Sequence, residues 1–354
     1  MSMLLRITVA SLATALTWSA AGSVQAHDAC TSDAGGAVVA ATQAQTFLKS
    51  LSPLQRTIAV RGYNRFAAIR WSNLPIFLAP RVGVRLGDLT PAQTLAADAL
   101  LASALSHCGL DLLAGIRAAD GVLMPMDTRG IGWNPANYFI ALLGEPSADK
   151  PWILKVDGHH IAYNITFNGA HVSATPLFDG IEPVHFTSGG RALSPLAAQA
   201  DAMRALATSV AGSPQARLEG EFRDVTRGST PDGDTNFPIS FPSGAAGRGV
   251  AYASLTAAQK ELIRDAMRAW VDLPNAAISG ALMADYLQDA ALAETFVGVS
   301  GNPDLATPGA YVRIDGPRVW IEFIVQPAAS DPKGIHYHTI WRDKLADYGG
   351  AFRP

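Results

Sequence analysis

The sequence predicts an α+β protein in which an antiparallel β-meander and a C-terminal β-hairpin form a sheet packed with several α-helices. Three observations carry this reading. Helix starts recur with one chemistry, hydropathy alternates with a period of two across residues 137–176, and the alternation returns across residues 310–326. With 49% hydrophobic and 16% charged residues, the 354-residue chain can bury a large core. The expected organisation is a signal peptide at 1–26, an N-terminal linker at 27–44 and a single domain over 45–354, possible also as two lobes sharing one sheet system.

Residues 1–26 carry Arg6 near the start, an apolar stretch over 7–18 and Val24-Gln25-Ala26 as a small-x-small cleavage site. That is the pattern of a secretory signal, so export to the periplasm or medium is expected, with His27 as the mature N-terminus. No later run reaches the about eighteen apolar residues of a membrane span. Ala26-His27-Asp28-Ala29 before Cys30 does not resemble a lipoprotein processing site. Cys30 and Cys108 are the two cysteines of the chain. In an oxidising compartment they most simply form one disulfide, and their spacing excludes a CxxC redox pair. The formal net charge is −3, one unit more negative without Arg6, which gives no electrostatic case for nucleic acid or anionic lipid.

Ser52-Pro53-Leu54-Gln55, Thr90-Pro91-Ala92-Gln93 and Thr256-Ala257-Ala258-Gln259 each fit a capping box, with Pro at the first helical position in two of them. The second helix is expected to run to about 107 and end at Gly109, the third to about 271 before Pro274. Ser194-Pro195 opens a fourth through 210. Strands are expected at 138–143, 152–156, 159–167 and 170–175, with Asn168-Gly169 as a type I′ turn in which Thr166 faces His171. One side then carries His160, Asn164, Thr166, His171 and Ser173, and the other Ile161, Tyr163, Ile165, Phe167 and Val172 as core. In the second hairpin, which turns at Asp315-Gly316, Val312, Val319, Ile321, Phe323 and Val325 are buried. Tyr311, Arg313, Arg318, Trp320 and Glu322 take the other face. A short strand at 335–341 puts His336, His338 and Ile340 on one side.

Gly158-His159-His160 and His336-Tyr337-His338 hold half of the chain's eight histidines. Imidazoles at alternate strand positions project from one face and can converge on a metal ion or an anion. His160, His336 and His338 are the expected ligands of a divalent metal, zinc or copper, with Glu322 or Asn164 completing or orienting the shell. The competing reading makes them strand histidines bonded to backbone and to the Trp341-Arg342-Asp343 tail. His159 aims at the apolar side, as a structural core histidine, or as the ligand if a bulge at Gly158 turns the strand. His171 lies about 20 Å along the strand from His160, too far to join.

Asp157-Gly158-His159-His160-Ile161-Ala162-Tyr163-Asn164-Ile165-Thr166 and Thr175-Pro176-Leu177-Phe178-Asp179-Gly180-Ile181-Glu182-Pro183 resemble the signature of the bacterial and fungal family called domain of unknown function 3500. Arg313-Ile314-Asp315-Gly316-Pro317 and His336-Tyr337-His338-Thr339-Ile340-Trp341-Arg342-Asp343 resemble its second signature, which usually reads Asn-His-x-His where Ile335 stands here. The resemblance covers about residue 45 to the end. It implies a shared fold and site, and no particular reaction.

The expected site is a polar cleft lined by His160, Asn164, Glu322, His336 and His338, with Arg342 and Asp343 at its rim. For an enzyme the expected chemistry is metal-assisted hydrolysis, with Glu322 as general base and Arg318 or Arg342 steadying negative charge. The alternatives are a binding protein taking a small anionic or sugar-like ligand through Arg313, Trp320, Trp341 and the imidazoles, or a metal carrier. Asp232-Gly233-Asp234-Thr235-Asn236 opens like a calcium loop, but Phe237 stands where glycine is required, so a solvated turn is expected. A copper brace at His27 would need another imidazole brought close. Gly298-Val299-Ser300-Gly301 only approaches a nucleophile elbow. Nothing in the sequence sets the oligomeric state. N-terminal sequencing of the exported protein is expected to begin at His27; a start inside residues 1–26 would overturn the cleavage reading.

Overall fold

The computed structural model describes residue 30 and residues 35–225 and 234–352. The stretch read as a signal, His27, and Asp232 and Gly233 of the acidic turn lie outside them. The chain opens with α1 (Ala37–Ser50), α2 (Pro53–Ala59), β1 (Val60–Arg61), α3 (Arg65–Ile69), β2 (Val84–Arg85), α4 (Pro91–Ala104) and α5 (His107–Leu123). The meander follows as β3 (Phe139–Leu143), β4 (Trp152–Gly158), β5 (Ile161–Asn168), β6 (His171–Ser173) and β7 (Leu177–Ile181), then the small hairpin β8 (Phe186–Ser188) and β9 (Arg191–Leu193). After α6 (Ala197–Val210) come β10 (Val250–Ala251), α7 (Ala257–Val271), α8 (Ala276–Tyr286), α9 (Asp289–Ala293) and β11 (Phe296–Ser300). The last strands are β12 (Tyr311–Asp315), β13 (Val319–Pro327) and β14 (Ile335–Asp343). The helix α1 occupies part of the stretch read as a linker.

All three capping boxes form: Ser52, Thr90 and Thr256 accept from the backbone of Gln55, Gln93 and Gln259, and each Gln side chain reaches back. Each such cap contributes about 1 kcal/mol. Gly109 does not end a helix. Ser106 caps the new helix α5 by accepting from Gly109 N at 3.2 Å, and a Cβ at Gly109 would collide with the Leu273 carbonyl. The glycine serves a close approach of chain segments rather than a stop. The expected disulfide, Cys30–Cys108, is present at the start of this helix.

The strands form a 12-stranded sheet in the order β1-β3-β4-β5-β7-β14-β13-β12-β11-β10, with β2 against β3 and β6 against β5. Neighbours are antiparallel except β1 and β3. Strands β1–β7 and β10–β14 meet at one place among the described residues, the pairing of β7 with β14, where Gly180 lies opposite His338. One sheet face carries Ile161, Tyr163, Ile165, Ile321, Phe323, Val325 and Trp341 into a single core with helices α1 and α4–α8. The other face is covered by irregular chain and the short helix α3. There Trp71, Leu218 and Val225 pack on Ala162, Phe178, Ile324 and Ile340, and Phe237 and Tyr348 pack on Leu143 and Ile153. The faces are those the alternation predicts.

Two registers differ from expectation. Thr166 pairs with Ser173 rather than His171, because the turn is Gly169-Ala170, with Gly169 supplying the positive φ of 62°. A slip of two residues leaves every side chain on its face, so hydropathy alone does not distinguish the two registers. The second difference is that β5 starts at Ile161. Gly158 pairs with Ile161, so His159 and His160 are the two residues of a tight turn rather than strand positions.

Asp179 on β7 stands out on the helix-facing side. It is fully buried, its Oδ1 accepts from Tyr163 Oη at 2.6 Å, and its Oδ2 has no partner. Burial pushes its pKa up to about 7 from 3.8, against the opposing Tyr163 bond. Because the folded-state value is raised, the Asp179 contribution to stability is complete below about pH 4 and lost as pH rises through about 7. Asp179→Asn, which retains an acceptor for Tyr163, is therefore expected to be more stable than the wild type at pH 8, on the order of 3 kcal/mol, with the gap closing toward pH 4. Denaturant titrations across this range test it, and a gap independent of pH would contradict it.

Candidate metal centre

The seam between the two strand sets is where the imidazoles meet. His160 adopts a left-handed conformation with φ 62°. For a residue with a Cβ this costs on the order of 1 kcal/mol and persists only where surroundings impose it. Two backbone bonds impose it here: His160 N donates to Asn73 O at 3.3 Å, and Gly180 N donates to His160 O at 2.8 Å. As a result the His160 side chain meets those of His336 and His338, which share a face of β14 as expected.

One ring nitrogen from each of His160, His336 and His338 lies within 4.8 Å of the others, and all three residues are buried. Ring centroids are 4.6 Å apart for His336 and His338, 5.1 Å for His160 and His338, and 5.8 Å for His160 and His336. Gly180 makes room for them. A Cβ at this position would lie 2.7 Å from His160 Cδ2 and 2.8 Å from His338 Cδ2.

The Nδ1 protons of the two β14 imidazoles are accounted for. His336 Nδ1 donates to Pro327 O at 2.7 Å, with a Glu182 carboxylate oxygen 3.8 Å away. His338 Nδ1 lies 3.0 Å from Asp224 Oδ1, an anionic acceptor that places the proton on that nitrogen. His338 Nε2 is left buried without a partner. Imidazoles held by carbonyl or carboxylate through one nitrogen and presenting a lone pair on the other are arranged as metal ligands are. Charge supports the same arrangement. Burial, then the neighbouring His159, His338 and His336, hold the His160 pKa well below its usual range. Burial and His338 lower that of His336 to about 4, against the pull of Glu182, so both rings are neutral at neutral pH. Burial works to raise the Asp224 carboxyl, but His338 brings it below its ordinary value.

His159 turns the other way. Its Nδ1 lies 2.6 Å from Asp120 Oδ1 of α5, while Tyr138 Oη donates to Asp120 Oδ2 at 3.0 Å and to His159 O at 2.9 Å. It is the buried, satisfied histidine of the structural reading. Its ring stacks on that of His160 at 3.7 Å, fixing one imidazole against the next.

The other expected site residues lie elsewhere. Ala162, Phe178 and Ile340 occupy the sheet positions between the trio and Asn164 or Arg342. Asn164 accepts from Lys155 at 3.0 Å and donates to Pro176 O at 3.1 Å. Glu322 accepts from Tyr311 Oη at 2.5 Å and Trp320 Nε1 at 2.7 Å, and it is not in the converging group. Arg342 is not at a rim: it is fully buried, paired with Asp347 at 2.6 Å and with Asp234. Asp343 and Trp341 face the helices, where Tyr286 Oη donates to Asp343 Oδ2 at 3.0 Å, Arg318 pairs with Asp343 at 2.6 Å, and Trp341 lies edge-on to Tyr286. Strand alternation sends Trp341 and Asp343 through the sheet, away from the imidazoles. Arg313 lies over the Trp320 ring at 4.7 Å, in a separate cluster with Asp315, Arg248 and Lys344. Asp234 of the acidic turn is committed to Arg342 and Tyr348.

Asn73, Glu182, Asp224 and Gly180 were not singled out by sequence reasoning. Glu182 and Gly180 stand in the Thr175–Pro183 signature, and β7 register would have placed them beside β14. Asn73 and Asp224 lie in irregular chain with no periodic signal.

The family model described as "Protein of unknown function (DUF3500)" matches residues 34–350. The chain belongs to the DUF3500 family. No curated protein matches it. No solved structure matches it. The trio of this DUF3500 chain therefore has to be judged on its geometry. Gly180→Ala is expected to push the imidazoles apart, at about 1–3 kcal/mol in stability, and to lower divalent-metal affinity at least about tenfold. Gly280→Ala on α8, where a Cβ meets nothing within 4 Å, is the control and leaves metal affinity unchanged. Equal metal affinity in both variants would count against the trio.

Proposed function

We propose that this protein is an exported metal protein in which His160, His336 and His338 hold a divalent cation, zinc or copper, with one coordination position left for a small ligand. One observation carries this: three imidazoles converge while the Nδ1 protons of two are taken up by Pro327 and Asp224, and His338 Nε2 is buried without a partner. An unpartnered buried nitrogen costs about 1–3 kcal/mol, which a cation recovers. Three imidazoles and an open position suit zinc or copper better than harder cations.

The reaction class that fits is metal-assisted hydrolysis of a small substrate. A bound cation there supplies Lewis acidity and lowers the pKa of a water at the open position. The chain orients the imidazoles and keeps their lone pairs available. Glu322, engaged by Tyr311 and Trp320, takes no part in this reading. Each of the three residues is at most 9% exposed, which favours a small substrate over a polymer. Export rests on the signal pattern of residues 1–26 and on the Cys30–Cys108 disulfide, which belongs to an oxidising compartment.

Protein purified without an affinity tag is expected to contain, or take up, close to one equivalent of zinc or copper. Less than about 0.2 equivalents after reconstitution would sink the metal reading. His338→Ala is expected to weaken binding by at least about 100-fold. Turnover of small ester or phosphoester panels by loaded protein separates a hydrolase from a carrier, since a carrier exchanges metal and turns over none of them.

A further inference from the structure

Asp224 reaches the centre from outside the sheet. Residues 217–225 cross the face that bears the trio, held by Leu218 N donating to Val299 O at 2.8 Å, by Phe222 stacked on Tyr311 at 4.1 Å, and by Leu218 and Val225 packed on the strands. Near the far end of this strap, Asp224 meets His338 Nδ1 at 3.0 Å. Asn73 Nδ2 lies 3.4 Å from the same nitrogen, but an amide N–H is no acceptor for an imidazole proton, so the carboxylate holds it.

We propose that Asp224 is the positioning residue of the metal centre and that, through its bond to His338, cation uptake and docking of the 217–225 strap are thermodynamically linked. The inference rests on the metal reading above. The physical reason is polarisation: a cation on His338 Nε2 makes the Nδ1 proton more acidic and strengthens its bond to the carboxylate. The carboxylate in turn makes the imidazole a better donor. Linkage is reciprocal, so whatever factor strap docking contributes to cation affinity, the cation returns to docking. No proton leaves His338 and no covalent bond changes.

The test compares wild type with Asp224→Asn, which keeps the shape and removes the charge, and with Asp224→Ala in case the amide forms a substitute bond. Zinc affinity, the visible spectrum of cobalt(II)-loaded protein and hydrogen exchange of the strap amides are read for each. Zinc is expected to slow exchange over 217–225 in the wild type. Both variants are expected to bind zinc about 10–100-fold more weakly, to keep the wild-type cobalt(II) bands, and to lose the zinc effect on strap exchange. Three results would overturn the inference: affinity within twofold of wild type, zinc protection of the strap undiminished in the variants, or altered cobalt(II) bands, which would make Asp224 a ligand. Failure of the wild type to take up either cation removes the metal reading and this inference together. Uptake without strap linkage removes this one alone.

Discussion

The pairing of β7 with β14 is the interaction on which the rest depends. It joins strands contributed by the two ends of the chain into one sheet and sets Gly180 directly opposite His338. Because β5 pairs with β7 on the other side, the turn that leads into β5 lands over Gly180, and its carbonyl takes the Gly180 amide proton. Three imidazoles therefore meet where one residue lacks a side chain. A different partner for β7 would leave His160 on one half of the sheet and His336 and His338 on the other.

That seam also explains the unequal faces. Helices can cover the apolar face because its strands present branched and aromatic side chains in unbroken rows. The opposite face carries charge at intervals, and each buried charge has a partner. Arg81 pairs with Asp157 at 2.7 Å and donates to the carbonyls of Ser72 at 2.6 Å and Gly158 at 2.9 Å. Arg342 lies between Asp234 and Asp347. Stranding one member of such a buried pair costs about 3–5 kcal/mol, so these networks fix how the irregular segments lie even if they add little net stability. Arg81 in particular draws the 72–81 loop onto the sheet, and with it Asn73, whose carbonyl holds the left-handed turn at His160.

Much of the fold was legible because its signals are local. A hydroxyl residue followed three positions later by Gln announced three helices, and alternation in β5, β12 and β13 assigned inward and outward residues correctly. His336 and His338 shared a face for the same reason. The misread positions are those where local chemistry is degenerate. Asn168-Gly169 and Gly169-Ala170 are both acceptable turns that give the same faces, and Gly109 looks like a helix stop until a carbonyl from a distant segment is seen beside it. Asn164, Glu322 and Arg342 were on the expected face but too far along it, since an alternation pattern gives the side of a sheet and not how many rows separate two residues.

The sequence by itself determined the class of fold, the family signatures, the disulfide partners and the shared face of His336 and His338, because each depends on short-range stereochemistry, on the cysteine count or on strand alternation. Only the tertiary structure decided that His159 and His160 form a turn with stacked rings, one bonded to Asp120 and the other meeting the imidazoles of β14. It alone brought in Asp224, Asn73 and Glu182 as neighbours. Their placement comes from contacts between segments far apart along the chain, made by irregular backbone whose course is set by what it covers.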